Sequence, residues 1–213
     1  MSAHANTDVV QPTSFAFSAE NLEKAKKIIA RYPEGRQPSA VMPLLDMAQR
    51  QEGWVSRVAM DVIAGMLDMA PIRVYEVATF YTMYNLQPVG KHLIQICRTT
   101  PCWLRGSDGL TDYLKKRLGV GMKEVTKDGL FSMMEVECLG ACCNAPMVQI
   151  NDDFYEDLTP ETLGKVMDEL AAGRKPQTGP QNGRRASMAE GGQTTLKEIP
   201  LSYDMSPDLV GGK

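Results

Sequence analysis

All five cysteines of this 213-residue chain lie in two short segments, Cys97-Arg98-Thr99-Thr100-Pro101-Cys102 and Cys138-Leu139-Gly140-Ala141-Cys142-Cys143. Cysteines that merely fill a core are scattered among helices and strands as small hydrophobes. Here the rest of the chain has none, and each segment carries a proline or a glycine. Two such loops can present four thiolates to one centre. A structural zinc site also uses four cysteines, with two to four residues between ligands. The intervals here, four residues and then three or four, lie at the top of that range. A thioredoxin-type redox pair needs C-x-x-C, which neither segment has. A disulfide framework leaves one cysteine over. A [2Fe–2S] cluster is wider than a single ion and suits two separated loops with wider intervals. Iron–sulfur is therefore the first reading and zinc the second.

The surroundings fit an anionic centre. Gly140 and Ala141 allow a compact loop whose successive amides point at negative charge, as in many iron–sulfur sites. Thr99, Thr100 and the amides beside them are candidate donors to sulfur, and Pro101 fixes the chain entering Cys102. Trp103 is placed either to screen the centre or to pack at a helix start. Arg98 and Arg105 read as solvated arginines, and His92 as an ordinary strand residue. Spacing leaves one choice open: Cys138 pairs with Cys142 or with Cys143, and the other is a bystander.

Taken in order, residues 1–17 show no periodicity and read as a mobile arm. Residues 18–86 read as a helical module. Ser18 suits the cap of a helix over Ala19–Tyr32, with Leu22, Ala25, Ile28 and Ile29 on one face. A second helix is expected over Ser39–Gln51 with Gly53 closing it. A third opens at Ser56, and a fourth spans Ile72–Tyr81 behind Pro71. Nothing in this module suggests chemistry. From residue 87 to 173 the pattern becomes strand, helix, strand, strand, helix. The strands are His92–Ile96 delivering Cys97, Leu130–Glu137 ending at Cys138, and Met147–Ile150. A turn at Asp152-Asp153 and a returning strand at Phe154-Tyr155 follow. The helices are Leu110–Leu118 and one capped by Thr159 with Pro160 first. This is an α/β domain. Residues 174–213, rich in Pro, Gly, Gln and Ser, cannot make a core of their own and read as an extended tail, partner-binding or disordered.

The 43% hydrophobic content is enough for a core, and the net charge of −3 is spread over interspersed acids and bases. That excludes the basic face of a nucleic-acid binder. No apolar run approaches the roughly 18 residues of a membrane span; the best, Val58–Ala70, is cut by Asp61 and Asp68. Met1–Ser14 lacks the basic start and apolar stretch of a secretory signal, and it is not an Arg-rich transit segment. A cytosolic setting, where clustered cysteines bind metal more often than they form disulfides, is expected.

Two segments, Cys97–Cys102 and Glu137–Val148, closely resemble the 24-kDa-type subunit family of proton-pumping NADH:quinone oxidoreductase. Glu52-Gly53-Trp54-Val55 and Val74–Tyr81 resemble the same family's N-terminal module. The resemblance runs from about Ser18 to Gly173. It implies an N-terminal helical module followed by a thioredoxin-like domain with one [2Fe–2S] cluster. It also implies Cys97, Cys102, Cys138 and Cys142 as ligands, with Cys143 not needed. The implied partners are a flavin-bearing NADH-binding subunit, which would hold FMN and NADH, and the other peripheral-arm subunits of complex I. The implied location is the cytoplasmic side of a bacterial inner membrane. This chain has no G-x-G-x-x-G after an expected strand, so nicotinamide and flavin are expected elsewhere. The alternatives are the equivalent subunit of an NAD-linked hydrogenase or formate dehydrogenase, and a zinc-stabilised interaction module without redox chemistry.

Overall fold

The computed structural model describes residues 9–189, 191, 192, 194 and 195. The arm and tail expected from sequence therefore lie outside the described residues for 1–8 and 196–213. The described chain divides into two compact units. One runs to Ile94 and takes in Leu114–Met134; the other comprises Gln95–Tyr113 and the chain from Glu135 on.

The first unit is built on helices whose ends are written in the sequence. Helix α1 (Ala19–Ile29) starts where the Ser18 hydroxyl accepts from the Asn21 N–H at 3.2 Å. A 3-10 turn over Gln37–Ala40, with Pro38 in its first turn, leads straight into α2 (Val41–Glu52). The expected helix over Ser39–Gln51 thus begins as a tighter turn. Gly53 ends α2 at φ 83°, a left-handed conformation that glycine adopts without steric cost. Ser56 caps α3 (Arg57–Leu67) by accepting from the Ala59 N–H, and α4 (Pro71–Phe80) starts on a proline whose missing N–H is not needed there. The core holds Leu44, Leu45, Ile63 and Val74, with Ala25, Ala48, Ala59 and Ala78 letting the helices approach. Burying each of the larger side chains stabilises the unit by about 1.5–3 kcal/mol. No described helix is long and apolar enough to cross a membrane.

A five-stranded sheet has the order β2-β1-β3-β4-β5. Its strands are β1 (His92–Cys97), β2 (Phe131–Val136), β3 (Val148–Ile150), β4 (Asp153–Glu156) and β5 (Gly179–Pro180). Between β1 and β2 lie a short helix α5 (Thr100–Leu104) and α6 (Ser107–Leu118). Helix α5 has no counterpart among the elements expected from sequence, because five residues show no amphipathic period. Strands β3 and β4 pair antiparallel with Val148 opposite Tyr155. Their turn sits at Asn151 and Asp152, one residue earlier than expected, and Asp153 already belongs to β4. Asn151 takes φ 55°, a conformation its short polar side chain tolerates. Helix α7 (Pro160–Ala171) opens with a reciprocal cap: Thr159 accepts from the Thr162 N–H and donates its own N–H to the Thr162 hydroxyl. It buries Leu163, Val166 and Met167. Beyond it the chain returns as β5, parallel to β4.

One close approach fixes where β1 begins. Gly90 donates its N–H to the Ser132 hydroxyl at 3.0 Å, and Lys91 and His92 donate to the carbonyls of Gly129 and Leu130. A Cβ on Gly90 would stand 2.5 Å from the Phe131 carbonyl carbon. Backbone cannot yield as a flexible side chain does. Gly90→Ala is expected to lower the free energy of unfolding by about 2 kcal/mol, read from urea denaturation. An unchanged midpoint would show that the approach is not constrained.

Candidate metal centre

Strand ends deliver the first and third cysteines. Cys97 is the last residue of β1, and Arg98 donates its N–H to the Val136 carbonyl at 3.2 Å, holding the ends of β1 and β2 side by side. Cys138 follows two residues after β2 ends. Thr99 is extended, and α5 then carries Cys102 back inside, where it is 1% exposed. Gly140 turns the second loop at φ 90°, and Cys142 opens a 3-10 turn over Cys142–Asn144. Ala145 and Met147 pack with Cys97 and Cys102, joined by Leu139, Ala141 and Phe154.

The thiols stand as two pairs, and all five cysteines are free. Cys97 and Cys102 are buried and share a hydrogen bond. Cys138 and Cys142 are exposed, with their sulfurs 3.4 Å apart. Cys143 turns away and donates its thiol to Asn144 Oδ1 at 3.0 Å. The pairs are linked: Thr99 Oγ1 lies 3.2 Å from Cys97 Sγ, and the same side chain hydrogen-bonds Cys138. Among the described residues no three His, Cys, Asp or Glu side chains are grouped to hold a single metal ion. The four sulfurs stand as two pairs joined through Thr99.

Backbone donors face the sulfurs. Gly140 donates its N–H to Cys138 Sγ at 3.4 Å, the amides of Thr99 and Leu139 reach Cys97, and that of Met147 reaches Cys102. Within each pair the two thiols diverge. Burial raises Cys97, but the Thr99 hydroxyl and amide, Cys102 and the Leu139 amide outweigh it and hold that thiol below its ordinary value. Burial, reinforced by the hydrogen bond with Cys97, pushes Cys102 up to about 12. The Gly140 amide lowers Cys138, and the hydrogen bond with Cys138 raises Cys142. Each pair thus sets one thiol below its ordinary value and its partner above it.

Of the residues singled out from sequence, Thr99 and Gly140 meet sulfur as expected. Trp103 is 55% exposed and is not a shield against water. Arg98 pairs with Glu135, and Arg105 Nε donates to the Ala145 carbonyl at 3.5 Å. His92 is a buried strand residue beside the Phe131 ring. The amides of Leu139 and Met147 are not legible in sequence, since a backbone donor leaves no residue signature.

Residues 25–171 match a family model described as thioredoxin-like [2Fe-2S] ferredoxin. The chain is 57% identical over 159 residues to an NADH-quinone oxidoreductase subunit of Rickettsia bellii (strain RML369-C), covering 74% of this chain and 95% of the relative. It is 46% identical over 211 residues to the mitochondrial NADH dehydrogenase [ubiquinone] flavoprotein 2 of Dictyostelium discoideum, covering 98% of this chain and 85% of the relative. Among solved structures, NAD+-reducing [NiFe]-hydrogenase in the H2-reduced state is similar with a TM-score of 0.54 and 17% identity. That match covers 61% of this chain and 22% of the hydrogenase chain, and is a likeness of fold alone.

Thiolates, not thiols, react with alkylating agents. In the reduced, metal-free chain at pH 8, Cys138 is expected to be alkylated before Cys102, which is both buried and raised. Mass spectrometry of a short iodoacetamide time course reads the order. Cys102 reacting first would contradict the geometry.

Proposed function

Since the chain belongs to the thioredoxin-like [2Fe-2S] ferredoxin family, we propose that it is a one-electron carrier whose Cys97, Cys102, Cys138 and Cys142 hold one [2Fe–2S] cluster. The observation that carries this reading is the convergence of two thiol pairs while Cys143 turns to Asn144. When bound, such a cluster accepts and returns a single electron without making or breaking bonds to a substrate. The chain's own residues supply the setting. The amides of Thr99, Leu139, Gly140 and Met147 and the Thr99 hydroxyl aim positive dipole at sulfur, which offsets charge added on reduction. Leu139, Ala141, Met147 and Phe154 wall one side from water. The exposed side, at Cys138 and Cys142, is where an electron donor can approach.

The donor on this reading is a flavin-bearing partner subunit that holds FMN and oxidises NADH, within an NADH:quinone oxidoreductase whose peripheral arm faces the bacterial cytoplasm. The 57% and 46% identities to quinone- and ubiquinone-reductase subunits support that assembly over a hydrogenase at 17%. Binding to the other peripheral-arm subunits belongs to the same proposal. The boundaries 18–86 and 87–173 for the helical module and the cluster domain also remain part of it. A zinc-stabilised module fits less well, because residues 25–171 match a [2Fe-2S] ferredoxin family.

Two substitutions test the ligand set. Cys142→Ala is expected to abolish the two irons and two sulfides per chain of a [2Fe–2S] centre, and Cys143→Ala to retain them. The reverse outcome would move the ligand to Cys143. For the assembly, the tagged chain should co-purify with an NADH-oxidising flavoprotein and quinone-reducing subunits. Capture of a hydrogenase or formate dehydrogenase catalytic subunit would transfer the function to that class.

A further inference from the structure

The chain beyond α7 has the composition of a tail, yet its first part returns to the second cysteine loop. β5 runs parallel to β4, and Gln181 donates its N–H to the Glu156 carbonyl at 2.9 Å. Asn182 Oδ1 then accepts from the Arg184 N–H. This turn drives Arg184 inward: its side chain is 9% exposed, and that of its partner Asp157 is 6% exposed. Arg184 Nε donates to Asp157 Oδ2 at 2.9 Å and Nη2 to Oδ1, a two-pronged ion pair. Nη2 also donates to the Cys143 carbonyl at 2.8 Å, and Nη1 to the Met188 carbonyl at 3.3 Å.

Asn144, 1% exposed, closes the arrangement. Its Nδ2 donates to Asp157 Oδ2 at 3.3 Å and to the Ala186 carbonyl at 2.9 Å. Its backbone carbonyl accepts from the Asp157 N–H, and its own N–H donates to the Ala141 carbonyl. The backbone from Ala141 to Asn144, which includes Cys142, is thus gripped from both sides, and of the sulfurs Asn144 meets only that of Cys143, the one proposed not to be a ligand.

A buried ion pair contributes little net stability over well-packed apolar residues, but leaving one member unpaired is costly, so what it supplies here is a fixed geometry. Only a guanidinium can reach a carboxylate by two prongs and a carbonyl with the same fork. We propose that Arg184, through Asp157, Asn144 and the Cys143 carbonyl, is the positioning residue of the Cys138–Cys143 loop and sets how tightly that loop keeps its metal. This rests on the reading that Cys142 is a ligand. Residues 179–188 are then a clasp on the centre rather than part of a loose tail.

The test uses the full chain, wild type and the Arg184→Ala and Arg184→Lys variants, with and without iron. After anaerobic reconstitution, R184A is expected to take up iron and sulfide. It should then release iron to a ferrous chelator about ten- to hundredfold faster, the cost typical of removing a group that orients a metal ligand. In hydrogen exchange of the iron-free chain, amides of residues 140–145 should lose protection while those of α7 and β1 keep theirs. R184K retains the charge opposite Asp157 without the fork, and its release rate and loop exchange should fall between the two. Wild-type release and loop exchange in both variants would overturn the proposal. So would a loss of protection spread evenly over α7 and β1, which marks general stability only. If R184A does not accumulate as folded chain, R184K decides between the same outcomes. If the wild-type chain takes up no iron, the ligand reading fails by itself, and the exchange measurement still tests the clasp.

Discussion

The hydrogen bond from the Arg98 amide to the Val136 carbonyl, at the ends of two adjacent strands, is the contact on which the rest of the centre depends. It brings Cys97 and the approach to Cys138 to the same end of the sheet, although the two lie far apart in sequence. Everything after it is local. α5 swings Cys102 back under Cys97, and Gly140 turns the second loop so that Cys142 faces Cys138. A long-range pairing made once lets two short loops do the remaining positioning, with little further loss of chain entropy.

The same division explains the electrostatics. The inner pair lies among Ala145, Met147 and Phe154, so burial is the first influence on both thiols. The outer pair is exposed, and there the Gly140 amide and the contact between the two sulfurs dominate. One side of the centre is dry and the other open. A carrier that must protect its metal yet meet a donor needs that asymmetry.

Much of this was legible in the residues. Ser18, Ser56, Thr159 and Gly53 mark helix ends through local hydrogen bonding or backbone freedom, and such signals survive in sequence because their physics spans only a few residues. The two cysteine segments pointed to a metal centre, because thiols confined to two short segments of a chain are not spread as core filler is. What stayed hidden had no side-chain signature or no local cause. The amides of Leu139 and Met147 belong to any residue type, α5 is shorter than the period that would reveal it, and the choice between Cys142 and Cys143 depends on which way a turn faces. The grip of Arg184 on the loop is the clearest case. Its partners Asp157 and Cys143 are 27 and 41 positions away, and composition alone described that stretch as unable to make a core of its own.

The most direct measurement is the iron and acid-labile sulfide content of the anaerobically purified full chain, with its electron paramagnetic resonance spectrum after dithionite reduction. Two irons, two sulfides and a spin-one-half signal are expected of four thiolates holding a [2Fe–2S] centre. A colourless chain carrying zinc, with no such signal, would contradict electron transfer and leave the cysteine loops as a structural metal site.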